Sequence, residues 1–355
     1  MVKKEYLPGW LVMLIVAMVA YCLSGLIVMG GKHPLEAPVI AIVFGILATN
    51  TGLLPKACAA GVKAFQNPLI WGIVLIGAGL DFRNIAAQGP QMLLVIVVTM
   101  SVGFFAIYYL AKLFGLPRRL AILLSVGTTI CGESAIAVTS PLIEAREEET
   151  SYAIGTVALW GLAAIILYPK LFQLWHLSGI DQVFGVFAGT AIHSTPQVVG
   201  AGFIFSEAAG QIATAVKLVR NTFIAPLALI IALWYSWDSA RRSGQADAAP
   251  SAAEGAAVQP ATKLTWVKAF PWFLFGYFVM VALRTYGFFT ELGIDVFNQT
   301  GRFLILVGMA GIGLNTRFDA FKGIGVKPFV VGFIGALIVA GASLAMIFAV
   351  GIGTP

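Results

Sequence analysis

Long apolar runs alternate with short polar interruptions along this chain, and most runs are as long as a bilayer is thick. A helix needs about 20 apolar residues to cross the roughly 30 Å hydrocarbon layer. By that measure the pattern predicts spans over 8–30, 38–54, 67–82, 91–112, 119–144, 151–169, 179–203, 207–236, 266–288, 297–316 and 328–350. Several of these are short or broken, so ten or eleven transmembrane helices are expected. The first run follows a basic start, MVKKEY, yet it exceeds the roughly 7–15 residues of a signal core. It is expected to be retained as a span.

Composition agrees with the pattern. Hydrophobic residues make up 59% of the 355 and charged residues 11%, with a mean hydropathy of +0.92. Soluble domains carry roughly a quarter charged residues, so the fold class expected is an all-α integral membrane protein. The net charge of +6 is scattered between apolar runs and reads as topology, so no nucleic acid partner is expected. With the N-terminus inside, fifteen cations fall on the inner side and five on the outer, Arg146 among the outer and Lys170 among the inner. Lys217 and Arg220 lie within a span and are left out. The Ala-, Ser-, Gly- and Pro-rich segment 239–263 reads as a flexible cytoplasmic linker between eight N-terminal and three C-terminal spans. The whole chain, 1–355, is expected to form one membrane transport domain. Cys22, Cys58 and Cys131, like His33, His176 and His193, show no metal-ligand spacing, and no structural metal or cofactor is expected.

Two polar stretches interrupt the apolar pattern where it should be continuous. GTTICGESAIA (127–137) and GTAIHSTPQVVGAG (189–202) begin alike, and each holds an ionisable group near its centre. Gly127, Gly132, Gly189 and Pro196 are residues that end and restart helices. Such a break is tolerated in a membrane only where protein or water surrounds it, and the exposed half-helix N-terminus attracts anions. The expected substrate-binding set is Thr128, Thr129, Cys131, Gly132, Ser134, Thr190, His193, Ser194, Thr195 and Gln197. Close helix packing through small residues is the plainer alternative. Glu133 and His193 are candidates for coupling to a proton, because ionisable groups at mid-bilayer usually face a cavity or a partner. The alternatives are a neutral imidazole bonded between helices and a Glu133 paired with Lys or Arg.

Lys217, Arg220 and Asn221 share one helix face. Placed inside the membrane they suit an anion or a pair with Glu133; placed a turn lower they snorkel to the interface. Two further segments echo each other, GAGLDFRNIAAQGPQMLLVIV (77–97) and GIGLNTRFDAFKGIGVKPFVVGFI (311–334). Asn315 and Asp81, which close their G-x-G-L runs, are expected along the pathway, whereas Arg317 and Arg83 are expected to mark the membrane boundary. Seven span steps separate the copies, an inverted relation of the kind transporters carry. The two echoing pairs nest, where a tandem duplication would alternate.

Set side by side, GTTICGESAIA, GTAIHSTPQVVGAG, AVKLVRNTFIAPLAL (215–229) and GMAGIGLNTRFDAFKGIGVKP (308–328) resemble, in this order, the YeiH-like family of bacterial inner-membrane proteins, commonly described as sulfate exporters. The resemblance covers the membrane region and omits 239–263. It implies inverted repeats, two discontinuous crossing helices and a secondary transporter, and supports an anionic substrate. Here Ser194 follows the histidine where the family often has an acid, and Glu133 follows Cys-Gly where it often has an uncharged residue. The leading expectation is a secondary active transporter, an exporter of sulfate, a sulfonate or a carboxylate, coupled to protons or sodium. The alternatives are a sodium–proton antiporter using Glu133 and Asp81, and an intramembrane enzyme pairing Cys131 with His193. An ordinary enzyme is not expected. The bilayer is the expected environment, and a homodimer is left open.

Overall fold

The computed structural model describes residues 4–26, 37–80, 83, 89–175, 179–242, 273–321 and 325–353. Asp81, His33, His176 and most of the expected linker lie outside these residues, and the linker's first four residues belong to a helix. Among the described residues there is no strand, and six segments are long and apolar enough to cross a membrane. They include Leu7–Leu26 (α1), Gly89–Leu113 (α5), Glu147–Gln173 (α8) and Val326–Ala349 (α15). At 1.5 Å per residue, α5 is about 37 Å long, enough to cross the hydrocarbon layer. It stops at Gly115, whose φ of +71° continues no helix, and the Leu116 amide caps back onto Ala111 O at 3.0 Å.

The remaining helices are Ala37–Asn50 (α2), the short Ala59–Lys63 (α3), Gln66–Ile76 (α4), Arg118–Thr129 (α6), Glu133–Leu142 (α7), Ile180–Ala191 (α9), Thr195–Phe205 (α10), Glu207–Thr222 (α11), Ile224–Arg242 (α12), Phe273–Thr285 (α13) and Glu291–Asn315 (α14). The all-α membrane architecture and both interruptions stand as the sequence predicts them. What differs is the path. A helix carried straight through from Arg119 to Glu144 would separate them by about 38 Å, yet their side chains meet at 3.6 Å. Gly127 lies against Ile136, and the Gly132 amide donates to Gly127 O at 3.0 Å. So α6 and α7 form a hairpin. At the second interruption Ser206 Oγ donates to Asp181 Oδ1 at 2.6 Å, which brings the start of α9 to the end of α10. These form a hairpin too. Two of the expected crossings therefore enter the bundle and turn back.

The hairpins enter from opposite ends. Their connection is α8, which starts beside hairpin 1, with Ser140 and Thr150 hydroxyls 2.6 Å apart, and ends where Phe172 meets Phe184 of α9 edge to face. The segment α11–α12 returns the other way, from Ser206 to Tyr235, whose hydroxyl accepts from Arg119 Nε at 3.0 Å. Opposed pairs recur elsewhere. Leu69 and Gly72 of α4 lie against Gly308 and Gly301 of α14, and Gly103 and Ile107 of α5 against Val339 and Gly335 of α15. Each echoing pair in the sequence thus folds as two elements of opposite direction. In the second set the hairpin and its span precede the G-x-G-L helices, a permuted order that accounts for the nesting.

Side chains bury in two groups. One core joins both hairpins with α5, α8, α11 and α15; another joins α1, α2 and α14. Along their seam, residues of α2, α4, α13 and α14 meet Ile165, Val199, Ile204, Ala215 and Leu218. Between lipid-exposed helices the hydrophobic drive is weak and close backbone approach matters more, as at Gly72–Gly301 and Gly202–Gly210. At the Asp181 end the seam is tied by the ion pair Arg302–Glu207.

Candidate functional site

The two hairpin tips meet near the C-terminal end of α11, midway along the α11–α12 segment. Each of α6 and α9 ends there with backbone carbonyls that have no partner inside the helix, and each such end carries partial negative charge. The residues that carry them are buried, so their donors must come from the protein. Lys217 and Arg220, three residues apart on α11 and both 0% exposed, supply the missing donors. Lys217 Nζ donates to Ile130 O at 2.7 Å, to Ile192 O at 3.1 Å and to His193 O. Arg220 donates through Nε to Thr129 O at 2.7 Å and through Nη2 to Thr128 O at 3.0 Å. Its Nη1 reaches Gly189, Thr190 and Ile192 carbonyls at 3.1, 2.7 and 3.1 Å. Each cation therefore bridges both tips. The expectation that these side chains contact a substrate anion, or pair with Glu133, gives way to this clamp.

The hydroxyls expected to complete a polar cage divide in the same manner. Thr129 and Thr190 donate back to carbonyls within their own helices, Ser125 O at 2.6 Å and Val186 O at 2.7 Å, and Thr190 also meets Ser343 Oγ at 2.6 Å. Thr128 is buried beside them. These three contribute their carbonyls to the clamp and no surface to a cavity. His193 is 1% exposed, with its carbonyl on Lys217 and its Nδ1 without a partner. Its expected place on a wet pathway is not what the structure has; its imidazole is packed away behind the tip.

In front of the tips lies a cavity of about 400 Å³. Cys131, Glu133, Ser134, Ser194, Thr195, Gln197, Asn221 and Asn315 all line it, so the sequence-predicted set separates into a clamp and a cavity. The wall opposite the tips comes from α4, α13 and α14 in the seam. Its lining residues lie on the Arg119 side of the tips, and Asn315 and Arg317 are exposed. Arg317, expected at the membrane boundary, is therefore a lining residue as well. Its signal was its place two residues after Asn315. Gln66 also lines the cavity, and nothing in its sequence context marked it. A second cavity, about 480 Å³ between α5 and α12, holds none of the expected site residues and is walled by Phe104, Tyr108, Trp234 and similar groups.

The N-termini of α7 and α10 open onto the first cavity. At the α7 end the chain turns through Gly132, with φ +72° and ψ −127°, a conformation essentially confined to glycine. A Cβ there would also stand 3.2 Å from Ser194 Cβ, so the tips touch at this point. At the α10 end the Ser194 amide donates to Gln197 Oε1 at 3.0 Å, the reach-back arm of a capping box, and Gln197 Nε2 donates to Ala158 O at 3.3 Å. Gly161 of α8 leaves the space that the Gln197 amide fills. Among the described residues no Lys, Arg or His comes within ion-pair distance of Glu133, no hydrogen bond joins Cys131 to His193, and no cluster of metal-ligating side chains occurs. The cavity floor thus combines two positive helix ends, one carboxylate and a ring of neutral hydrogen-bonding groups.

Comparison with known proteins gives this architecture its relatives. The family described as Conserved hypothetical protein 698 matches residues 8–332. A UPF0324 membrane protein of Bacillus cereus (strain ATCC 14579) is 30% identical over 336 residues, covering 92% of this chain and 93% of its own. One from Pseudomonas aeruginosa is 31% identical over 343 residues, with 92% and 90% covered. One from Clostridium tetani is 30% identical over 337 residues, with 95% of each chain covered. Their names state a membrane protein and no substrate. The chain belongs to the family of Conserved hypothetical protein 698, the UPF0324 or YeiH-like membrane proteins.

Proposed function

We propose that the chain is a secondary active transporter for a small anion, such as sulfate, a sulfonate or a carboxylate. The observation that carries this reading is the cavity where two oppositely inserted hairpin tips meet, lying on one side of those tips. Two helix N-termini face it and Arg317 stands among its lining residues, an arrangement suited to negative charge. Towards the Asp181 end, the Arg302–Glu207 pair ties the seam. Alternating access then consists of movement of the hairpin group against the α1–α2–α14 group. The excess of Lys and Arg at the Arg119 end supports a cytoplasmic cavity mouth in a bacterial inner membrane, with the N-terminus inside.

Glu133 is the group through which a proton or sodium gradient would act, since it is the carboxylate of the cavity lining and is exposed to whatever enters the cavity. The same residue is what a sodium–proton antiporter would use. Flux measurements separate the two. Proteoliposomes holding the full chain should move radiolabelled sulfate, a sulfonate or a carboxylate, and Arg317→Ala should raise the half-saturating concentration. Gradient-driven sodium flux in the absence of any anion flux would instead establish the antiporter. An intramembrane thiol enzyme gains no support from the Cys131–His193 geometry.

A further inference from the structure

Two acceptor groups on the cavity floor, one buried and one exposed, have no donor or cation of the described residues beside them. Asn221 is 6% exposed and lines the cavity; its Nδ2 donates to Thr195 Oγ1 at 3.0 Å, and its Oδ1 accepts from nothing. Leaving a buried acceptor without a donor is costly, so such an atom calls for a partner. Glu133 lines the same cavity and is exposed there, and among the described residues no Lys, Arg or His lies within ion-pair distance of its carboxylate. Contacts connect the two residues. Gly132, next to Glu133, packs on Ser194, and Thr195, next to Ser194, holds Asn221. Of the positive side chains around the site, Arg317 lines the same cavity beyond Asn315, whereas Lys217 and Arg220 are engaged by backbone carbonyls and His193 is buried.

We propose that a compact cationic group binds at this floor between the Glu133 carboxylate and the Asn221 carboxamide oxygen, with the hydroxyls of Ser134 and Ser194 at its sides. Carboxylate, carbonyl and hydroxyl oxygens suit hard cations. One carboxylate balances one positive charge, and a second charge would face two positive helix ends, so the group is monovalent. It is either a sodium ion or the ammonium end of a zwitterion whose acidic end takes the anion position. The site deepens the transporter reading, on which its coupling role rests, but its occupancy is measurable without transport.

The test is thermal unfolding of the purified full chain in sodium chloride against choline chloride, and in 2-aminoethanesulfonate against 2-hydroxyethanesulfonate. The second pair shares an anion and differs in the ammonium. A ligand of the folded state raises the unfolding temperature with its concentration. Sodium alone should do so if the ion is the occupant, and the amino compound alone if a zwitterion is. In either case Glu133→Gln should weaken the apparent affinity by at least about tenfold, the loss expected for a charge-assisted contact, and Asn221→Asp should strengthen it. If neither pair separates for the native chain, or if the shift persists undiminished in Glu133→Gln, the cation site is wrong. Anion flux without any such shift would leave the transporter reading standing, and a sodium or amine shift without flux would leave only the site.

Discussion

The two hairpin tips perform one structural task with different chemistry. Both end a helix on the Lys217–Arg220 clamp and begin another on the cavity. Hairpin 2 closes its new N-terminus upon itself, through the Ser194–Gln197 reach-back and the neutral amide of Gln197. Hairpin 1 turns through a side-chainless Gly132 and puts a carboxylate at the first helical position. The shared half of each tip is therefore about keeping buried carbonyls satisfied, and the unlike half is where chemistry can differ. That division teaches that ionisable residues near a break need not belong to the pathway. His193 occupies the position equivalent to Cys131 in the echoing motifs, yet only Cys131 lines the cavity.

The comparison can be broken most completely by covalent capture. In a chain lacking its native cysteines, Asp181→Cys with Ser206→Cys should cross-link nearly quantitatively, because those residues are hydrogen-bonded at the hairpin base. A crossing helix would hold them about 38 Å apart, and absence of the cross-link would refute the hairpin. Next in size is the clamp. Arg220→Met orphans carbonyls on both tips, each worth about 1–3 kcal/mol, and monodisperse protein should be lost in detergent size-exclusion runs. Wild-type elution and melting would show that the tips do not depend on the clamp. Gly132→Ala should cost about 1–3 kcal/mol from its backbone conformation alone, read as a lowered unfolding temperature, whereas Gly189→Ala tests packing on Val216 in the other hairpin. Smallest is Gln197→Leu, which removes two hydrogen bonds of about 0.5–1.5 kcal/mol each. It sharpens the contrast if its loss of transport exceeds its loss of stability.

Much of the site was legible in the sequence because polar residues inside apolar runs are conspicuous. Cys131, Glu133, Ser134, Ser194, Thr195, Gln197, Asn221 and Asn315 reached the cavity on that signal. The hairpins were not legible, for a physical reason. Arms of 12 and 10 residues reach about 18 and 15 Å, half the hydrocarbon thickness, so their sum has the length of a single span. Charge was no help either. Turning both segments back moves Arg146 to the inner side and Lys170 to the outer, an even exchange that leaves fifteen against five. Lys217 and Arg220 looked like anion ligands because sequence shows charge but not the direction of neighbouring carbonyls. Arg317 was read as a boundary marker because depth along a helix end is uncertain by a turn.

The clamp also has a consequence for how the protein is made. Ile130 leaves the ribosome 87 residues before Lys217, the side chain that caps it. Until α11 emerges, both hairpins carry bare carbonyl ends that hydrocarbon will not accept, so they must wait at the membrane surface or inside the insertion machinery. Cys131, buried at the finished tip, reports on that wait. Stalled nascent chains ending before Lys217 should label there with a water-soluble maleimide, and chains extended past α12 should not.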